Sequence, residues 1–141
     1  MCWMATNSGE LTPKIAEDNI PVAKIVMLYT NLDNEKYWCS AYFNKEYELN
    51  TTYKTNDIFL HACVIEEGFH SYKEVKIVID KELKRLRIYS KKNKALDSWS
   101  LHRKGIAIMA CVIPKGSIYY ENRRGEIVSN TIRPIYCYKI G

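Results

Sequence analysis

Residues 106–113 read Ile-Ala-Ile-Met-Ala-Cys-Val-Ile, an uninterrupted run of eight apolar residues. A run of this length that ends at a turn is typical of a strand buried on both faces of a sheet. Pro114-Lys115-Gly116 supplies that turn. The run is also far shorter than the roughly 20 residues of a membrane-spanning helix. We therefore expect the chain to fold around a sheet that contains this strand.

Segments on both sides of this run also predict strands. Two of them are rich in β-branched and aromatic residues, and the turn residues Asn31-Leu32-Asp33-Asn34 join them into a predicted β-hairpin. Another is a mostly apolar run whose length does not distinguish strand from helix, and we favour strand. The predicted strands lie within residues 22–30, 36–43, 57–65, 106–113, 117–121 and 126–138. The expected sheet is antiparallel or mixed, with five or six strands.

One principal helix is predicted from about residue 72 to about residue 92. Ser71 and Glu74 have the spacing of a capping box, in which the two side chains satisfy free amides at a helix start. Apolar residues then recur at spacings of three and four, which gives one apolar face for packing on the sheet. This face comprises Tyr72, Val75, Ile79, Leu83 and Leu86. The alternative is a hairpin that turns at Asp80-Lys81, because the flanking residues are also good strand formers.

The chain divides into an irregular N-terminal segment, residues 1–21, and a single α+β domain, residues 22–141. The first segment is mostly polar and ends at Ile20-Pro21, where the proline disfavours helix for the residue before it. The sequence contains no internal repeat and no linker rich in proline or glycine. Its 141 residues are the length of one domain.

The N-terminus has neither the basic region nor the apolar stretch of a secretion signal. The expected location is therefore the cytoplasm, and no membrane partner is expected. In a reducing compartment the cysteines stay free, and Cys39, Cys63 and Cys111 are predicted to be buried as small apolar side chains. His61, Cys63 and His70 include metal-ligand types but lack the spacing of a zinc site. We therefore expect no metal and no cofactor.

Basic charge is concentrated in one part of the chain. The formal net charge is +5, yet residues 73–104 contain eleven basic and four acidic residues, a local charge of +7. This asymmetry attracts anions, so the expected partner is a nucleic acid, a nucleotide or an acidic protein. The candidate anion-binding residues are His70, Ser71, Lys84, Arg85, Arg87, Lys91, Lys92 and Lys94. Bases would stack on Tyr72, Tyr89, Trp99, Tyr119 and Tyr120. The alternative is a solvated helix face that keeps the protein soluble.

Two features suggest catalysis. Gly68-Phe69-His70-Ser71-Tyr72 places a titratable histidine beside the predicted helix start, whose free amides would attract a phosphate or an oxyanion. The alternative for this segment is a helix N-cap beside a hydrogen-bonded histidine. Removal of Met1 would leave Cys2 as an N-terminal nucleophile beside its own α-amine. The candidate partners of Cys2 are His61, His70 and His102, and the alternative is a lightly packed N-terminus.

Several motifs together resemble short proteins of unknown function from Bacteroidetes and their phages. They are the Met-Cys start, Gly68-Phe69-His70-Ser71-Tyr72, Cys111-Val112-Ile113-Pro114-Lys115-Gly116-Ser117 running into Tyr119-Tyr120, and Gly125-Glu126-Ile127-Val128-Ser129. The resemblance covers about half of the chain and implies a phage or mobile-element context, but no activity. The order of elements is also distantly similar to ADP-ribosyltransferase-like folds. That similarity implies a catalytic acid on a late strand, here Glu121 or Glu126, although residues 22–30 lack the expected His or Arg.

These observations favour a non-enzymatic binding protein that presents a basic surface to an anionic partner. The first alternative is a small enzyme that uses Cys2 as a nucleophile or a pocket at His70, including an ADP-ribosyltransferase-like activity. The second is an oligomeric structural or host-interaction protein whose exposed tyrosines form an interface.

Overall fold

The computed structural model describes residues 3–30, 36–40, 46–55, 58, 60–65, 67–84 and 103–139. In these ranges the chain is mainly β-structure with one short helix, and the strand pairings are antiparallel. The strands are β1 (Trp3–Met4), β2 (Lys14–Ile15), β3 (Ile20–Thr30), β4 (Lys36–Ser40), β5 (Glu46–Tyr47), β6 (Tyr53–Lys54), β7 (Val64–Ile65), β8 (Phe69–Tyr72), β9 (Arg103–Ile113), β10 (Ile118–Glu121), β11 (Glu126–Ser129) and β12 (Thr131–Lys139).

The centre of the sheet is the pairing of β3 with β9, which begins with Ile20 opposite Ile113. β12 pairs along the other edge of β9, so the apolar run 106–113 lies in an interior strand, as predicted. Its side chains are buried on both faces of the sheet. Met109 belongs to a cluster on one face and Ile108 to a second cluster on the other. The alternation of a strand explains this division, because successive side chains point to opposite faces.

The sheet has more strands than the sequence predicts. Among the described residues the main sheet contains ten strands, eight of them in the order β2-β10-β11-β8-β3-β9-β12-β6, with β4 on β3 and β5 on β4. A separate sheet pairs β1 with β7. The expectation of five or six strands is therefore wrong. The extra strands are only two to four residues long, so they are too short for an alternating pattern to show in the sequence.

Among the described residues of the predicted strand 57–65, only β7 is a strand, and a turn at residues 62–63 precedes it. The predicted last strand is two strands, β11 and β12, separated at Asn130.

The N-terminal segment, expected to be irregular, contributes β1, a 3₁₀ turn at Ser8–Leu11, and β2. Trp3 is fully buried, its indole Nε1 donates a 2.9 Å hydrogen bond to the carbonyl oxygen of Glu126, and its ring lies 5.7 Å from that of Tyr120. The amide Nδ2 of Asn122 donates to the carbonyl oxygen of Met4. These contacts make the described part of the segment an element of the folded structure.

The helix begins later than predicted. Three α-helical residues, Val75–Ile77, lead into a π-helical stretch, Val78–Leu83, so the hairpin alternative at Asp80-Lys81 is wrong. The capping box does not form, because Ser71 lies in β8 and Glu74, the N-cap residue, makes no side-chain capping hydrogen bond. Residues 85–92 of the predicted helix lie outside the described ranges.

The helix packs through different residues from those predicted. Val78 is fully buried and packs, with Ile77, against the β3 and β9 side chains on one face of the sheet. Val75 and Ile79, expected on the buried face, are 37% and 42% exposed. The predicted face starts at Tyr72, which lies in β8, and the stretch Val78–Leu83 is π-helical, so the α-helical spacing of three and four that defines that face does not apply. No helix in the described ranges is both long enough and apolar enough to cross a membrane.

Candidate anion-binding groove

The structure leaves most of the predicted site residues without a description. Cys2, Arg85, Arg87, Lys91, Lys92 and Lys94 lie outside the described ranges, as do Tyr89, Trp99 and His102. Lys84, the helical residue at the end of the π-helical stretch, is exposed to solvent. Tyr72 and Tyr120, predicted to stack on bases, are instead buried.

His70 and Ser71 lie in the middle of β8 rather than at a helix start. The strand pairs with β11, with His70 opposite Val128 and Ser71 opposite Ile127. Ser71 is fully buried, and its hydroxyl has no hydrogen-bond partner among the described residues. The free helix amides that would attract an anion are therefore not present at Ser71, since a strand uses its amides in the sheet.

The two acidic residues suggested by the transferase likeness have structural contacts. The Nζ of Lys73 lies 3.9 Å from Oε2 of Glu121. Glu126 is 7% exposed, and its Oε1 accepts a 2.9 Å hydrogen bond from Nδ2 of Asn122. Within the described ranges, no group of three His, Cys, Asp or Glu side chains is placed to hold a metal ion.

A groove of about 510 Å³ lies where β6, the turn between β9 and β10, and the start of β12 meet. Its lining includes three cationic side chains, Lys54, Lys115 and Arg133, and all three are exposed. No carboxylate is among the described residues that line it. The remaining lining side chains are mainly small polar and apolar ones. We call this surface the cationic groove.

The turn at Pro114-Lys115-Gly116-Ser117 forms one wall of the cationic groove. The amide of Ser117 donates to the carbonyl oxygen of Pro114 at 3.1 Å, and Gly116 has a φ of +88°. A type II turn requires a positive φ at its third residue, which glycine adopts without a steric penalty. The amide of Lys115 is also held by Oδ1 of Asn19 at 2.9 Å. The backbone that carries the Lys115 side chain is therefore fixed at two points.

The opposite wall is organised by Asn130. Its Oδ1 accepts hydrogen bonds from the amide of Ile118 and the hydroxyl of Thr131, and its carbonyl oxygen accepts one from the amide of Thr55. These bonds tie β6 to the start of β12, where Lys54 pairs with Thr131. Because side chains two apart on a strand share a face, Arg133 points to the same side as Thr131 and Lys54.

The three cations are suited to bind an anion. Like charges near one another raise the local electrostatic potential, and a concave wall focuses it. Arginine adds a planar fork that can hold two oxygens of a phosphate or carboxylate at once. No acidic side chain of the described residues forms a salt bridge with Lys54, Lys115 or Arg133.

The sequence did not single out this site. Its cations lie outside the basic window 73–104, in a remainder of the chain that carries a net charge of −2. Lys54 is 61 residues from Lys115 along the chain, and only the pairing of β6 with β12 brings the two into one groove. The local sequence signal nearest to the site is Pro114-Lys115-Gly116-Ser117, which predicts a turn but does not predict that this turn lines a groove.

Comparison of the chain with protein-family models, with curated proteins and with solved structures found no match. The resemblance to proteins of Bacteroidetes and their phages stays a prediction, as does the likeness to ADP-ribosyltransferase-like folds.

Proposed function

We propose that this protein is a non-enzymatic, cytoplasmic binding protein that holds an anionic partner in the cationic groove. One observation carries the proposal: three exposed cations converge on a groove whose described lining contains no carboxylate. Surface cations are often neutralised by neighbouring acids, so a group of three without such neighbours favours an external anion. The cationic groove is therefore a second basic surface, in addition to the one predicted from residues 73–104.

The test compares two variants of equal charge. In the groove variant, Lys54, Lys115 and Arg133 are each replaced by Glu. In the helix variant, Lys76, Lys81 and Lys84, which are exposed on the helix of the predicted basic window, are each replaced by Glu. Both variants lower the formal charge by six, so a difference between them reports location and not net charge. The probe is a linear polyphosphate, and binding is measured by calorimetry at low and moderate salt.

We expect the groove variant to lose most of the binding and the helix variant to retain it. Binding to the unmodified protein should weaken as salt rises, because neutralised phosphates release counterions. The proposal is wrong if polyphosphate does not bind at low salt. It is also wrong if only the helix variant loses binding, which would place the anion on the helix.

A further inference from the structure

Two exposed tyrosines lie beyond the cationic groove on β12. Tyr136 is 58% exposed and Tyr138 is 37% exposed, and their ring centroids are 5.6 Å apart with an angle of 42° between the ring planes. Ile135, which lines the groove, is 40% exposed and lies between Arg133 and the first tyrosine. Because both rings are open to solvent, they are accessible to a ligand that stacks on aromatic side chains.

A β-bulge sets the direction of these side chains. Pro134 pairs with Cys111 and Tyr136 pairs with Ala110, so Ile135 is an extra residue in β12. Proline is tolerated in a sheet at such irregularities, since it donates no ladder hydrogen bond. Beyond the bulge the alternation restarts, and Tyr136 and Tyr138 pair with every second residue of β9.

Arg133 and the tyrosines share one face of the sheet. Arg133 pairs with Val112 and Tyr136 with Ala110, and these two partners are two apart on β9. Residues directly opposite one another point to the same side of a sheet, as do residues two apart on one strand. The cations of the groove and the exposed rings therefore form one continuous surface, from Lys54 to Tyr138. At about 3.3 Å per residue this part of β12 spans roughly 20 Å.

We propose that the anionic partner is a single-stranded nucleic acid, whose phosphates contact Lys54, Lys115 and Arg133 while its bases stack on Tyr136 and Tyr138. This inference rests on the proposed function of the groove and names its ligand. Positive grooves flanked by aromatic side chains are the usual means of binding single strands without sequence preference. A duplex hides the faces of its bases, and an acidic polypeptide lacks the regular planar rings that this pair would accept. The single strand is therefore the polyanion that uses both halves of the surface.

The experiment uses fluorescently labelled oligomers of about twelve nucleotides, a length within the usual range for such sites. The probes are oligo-dT, oligo-rU, an abasic strand of the same length, a duplex and polyglutamate, each titrated by fluorescence anisotropy at fixed low salt. The proteins are the unmodified chain, the groove variant, Y136A/Y138A and Y136F/Y138F. The phenylalanine variant keeps both rings, and thermal melting checks that each variant is folded.

We expect oligo-dT and oligo-rU to bind at least tenfold more tightly than the abasic strand, the duplex or polyglutamate. Y136A/Y138A should bind oligo-dT as weakly as the unmodified protein binds the abasic strand, and Y136F/Y138F should bind within about threefold of the unmodified protein. The groove variant should lose affinity for all anions.

Other outcomes separate the two proposals. Equal affinity for oligo-dT and the abasic strand, with no effect of Y136A/Y138A, overturns the nucleic-acid inference while the groove remains an anion site. Tighter binding of polyglutamate or of the duplex also overturns it. Loss of oligo-dT binding in Y136A/Y138A but not in the groove variant overturns the function proposed for the groove.

Discussion

The side-chain ammonium of Lys24 donates a hydrogen bond to the main-chain carbonyl oxygen of His70, across the sheet from β3 to β8. Lys24 is only 9% exposed, and its ammonium lies 5.8 Å from the centroid of the Tyr47 ring. A lysine this buried is unusual, and such groups are retained when their charge is well hydrogen-bonded. The bond links the central strand to the segment that carries Ser71.

Replacement of Lys24 by Met should destabilise the protein by about 1–2 kcal/mol. The variant keeps the apolar stem but removes a charged donor, whose hydrogen bond contributes about 1.5–3 kcal/mol, and relief of the buried charge offsets part of this. Urea unfolding measures the change in the free energy of unfolding. The control is Lys76→Met, because Lys76 is exposed, and its stability should lie within about 0.5 kcal/mol of the parent. If Lys24→Met is more stable than the parent, the free-energy cost of burying the ammonium is greater than the stabilisation from its hydrogen bond.

Two glycines with positive φ should differ in their tolerance of alanine. Gly116→Ala should cost about 1–2 kcal/mol from backbone conformation alone, since an added Cβ meets no atom within 4 Å. Gly68→Ala should cost more, because its φ is +105° and an added Cβ would lie 2.8 Å from Cγ2 of Val128 and 3.3 Å from the carbonyl oxygen of Ser129. Chemical denaturation ranks the two variants. Equal losses would mean that the strand shifts to relieve the contact at Gly68.

Adjacent residues of β1 should differ sharply in their contribution to stability. Trp3 is fully buried and Met4 is 46% exposed. Trp3→Ala removes a core ring and its hydrogen bond to Glu126, so we expect a loss of about 3–5 kcal/mol. Met4→Ala should cost less than about 1 kcal/mol. Thermal unfolding followed by far-ultraviolet circular dichroism measures both, and similar small losses would show that β1 detaches without consequence for the domain.

Cys111 should make stability fall at alkaline pH. Burial raises the pKa of its thiol from 9.0 to about 12, an effect that the charge of Lys24 partly offsets. Between these values the unfolded thiol releases its proton while the folded one retains it, so the free energy of unfolding decreases as pH rises above about 9. The contribution of this one thiol is at most about 1.4 kcal/mol per pH unit.

The measurement is urea unfolding at several pH values from 8 to 10 for the parent and for Cys111→Ala. The variant should show a shallower decrease with pH, whatever its stability at pH 8. Cys137, whose pKa burial raises to about 11, is unchanged in both proteins and contributes equally to both curves. Parallel curves would contradict the assignment.

The sequence predicted the parts of the fold whose signals are local and long. The apolar run 106–113 and the β-rich stretch 22–30 are the two strands at the centre of the sheet, β9 and β3. Short strands escaped prediction because a two-residue strand such as β2 depends on its distant partner β10 and not on its own composition. The helix was found, but its start was misplaced because Ser71 and Glu74 match a capping pattern while Ser71 is required in β8.

The candidate site could not be predicted for the same reason. Its three cations are far apart in the sequence. The window with the highest density of positive charge, residues 73–104, instead predicts an anion site at Lys84 and at residues outside the described ranges. Tyr136 and Tyr138 alternate as strand residues do, but their exposure depends on the bulge at Ile135, and the sequence around Ile135 contains no pattern that predicts a bulge. Tyr120, in contrast, was predicted to stack on bases, yet it is buried and packs on Trp3, which lies far from it in the sequence.

The extra residue Ile135 shifts the alternation of inward and outward side chains in β12 by one position. If the strand were regular and Ile135 lay opposite Ala110, Tyr136 and Tyr138 would lie opposite Met109 and Ala107 on the buried face, because a slip of one residue exchanges the two faces of a strand. Deletion of Ile135 would instead remove the bulge and leave Tyr136 opposite Ala110, so both tyrosines would keep their face. The exposure of the two tyrosines and the pairing of Cys137 with the core residue Met109 therefore both depend on this bulge.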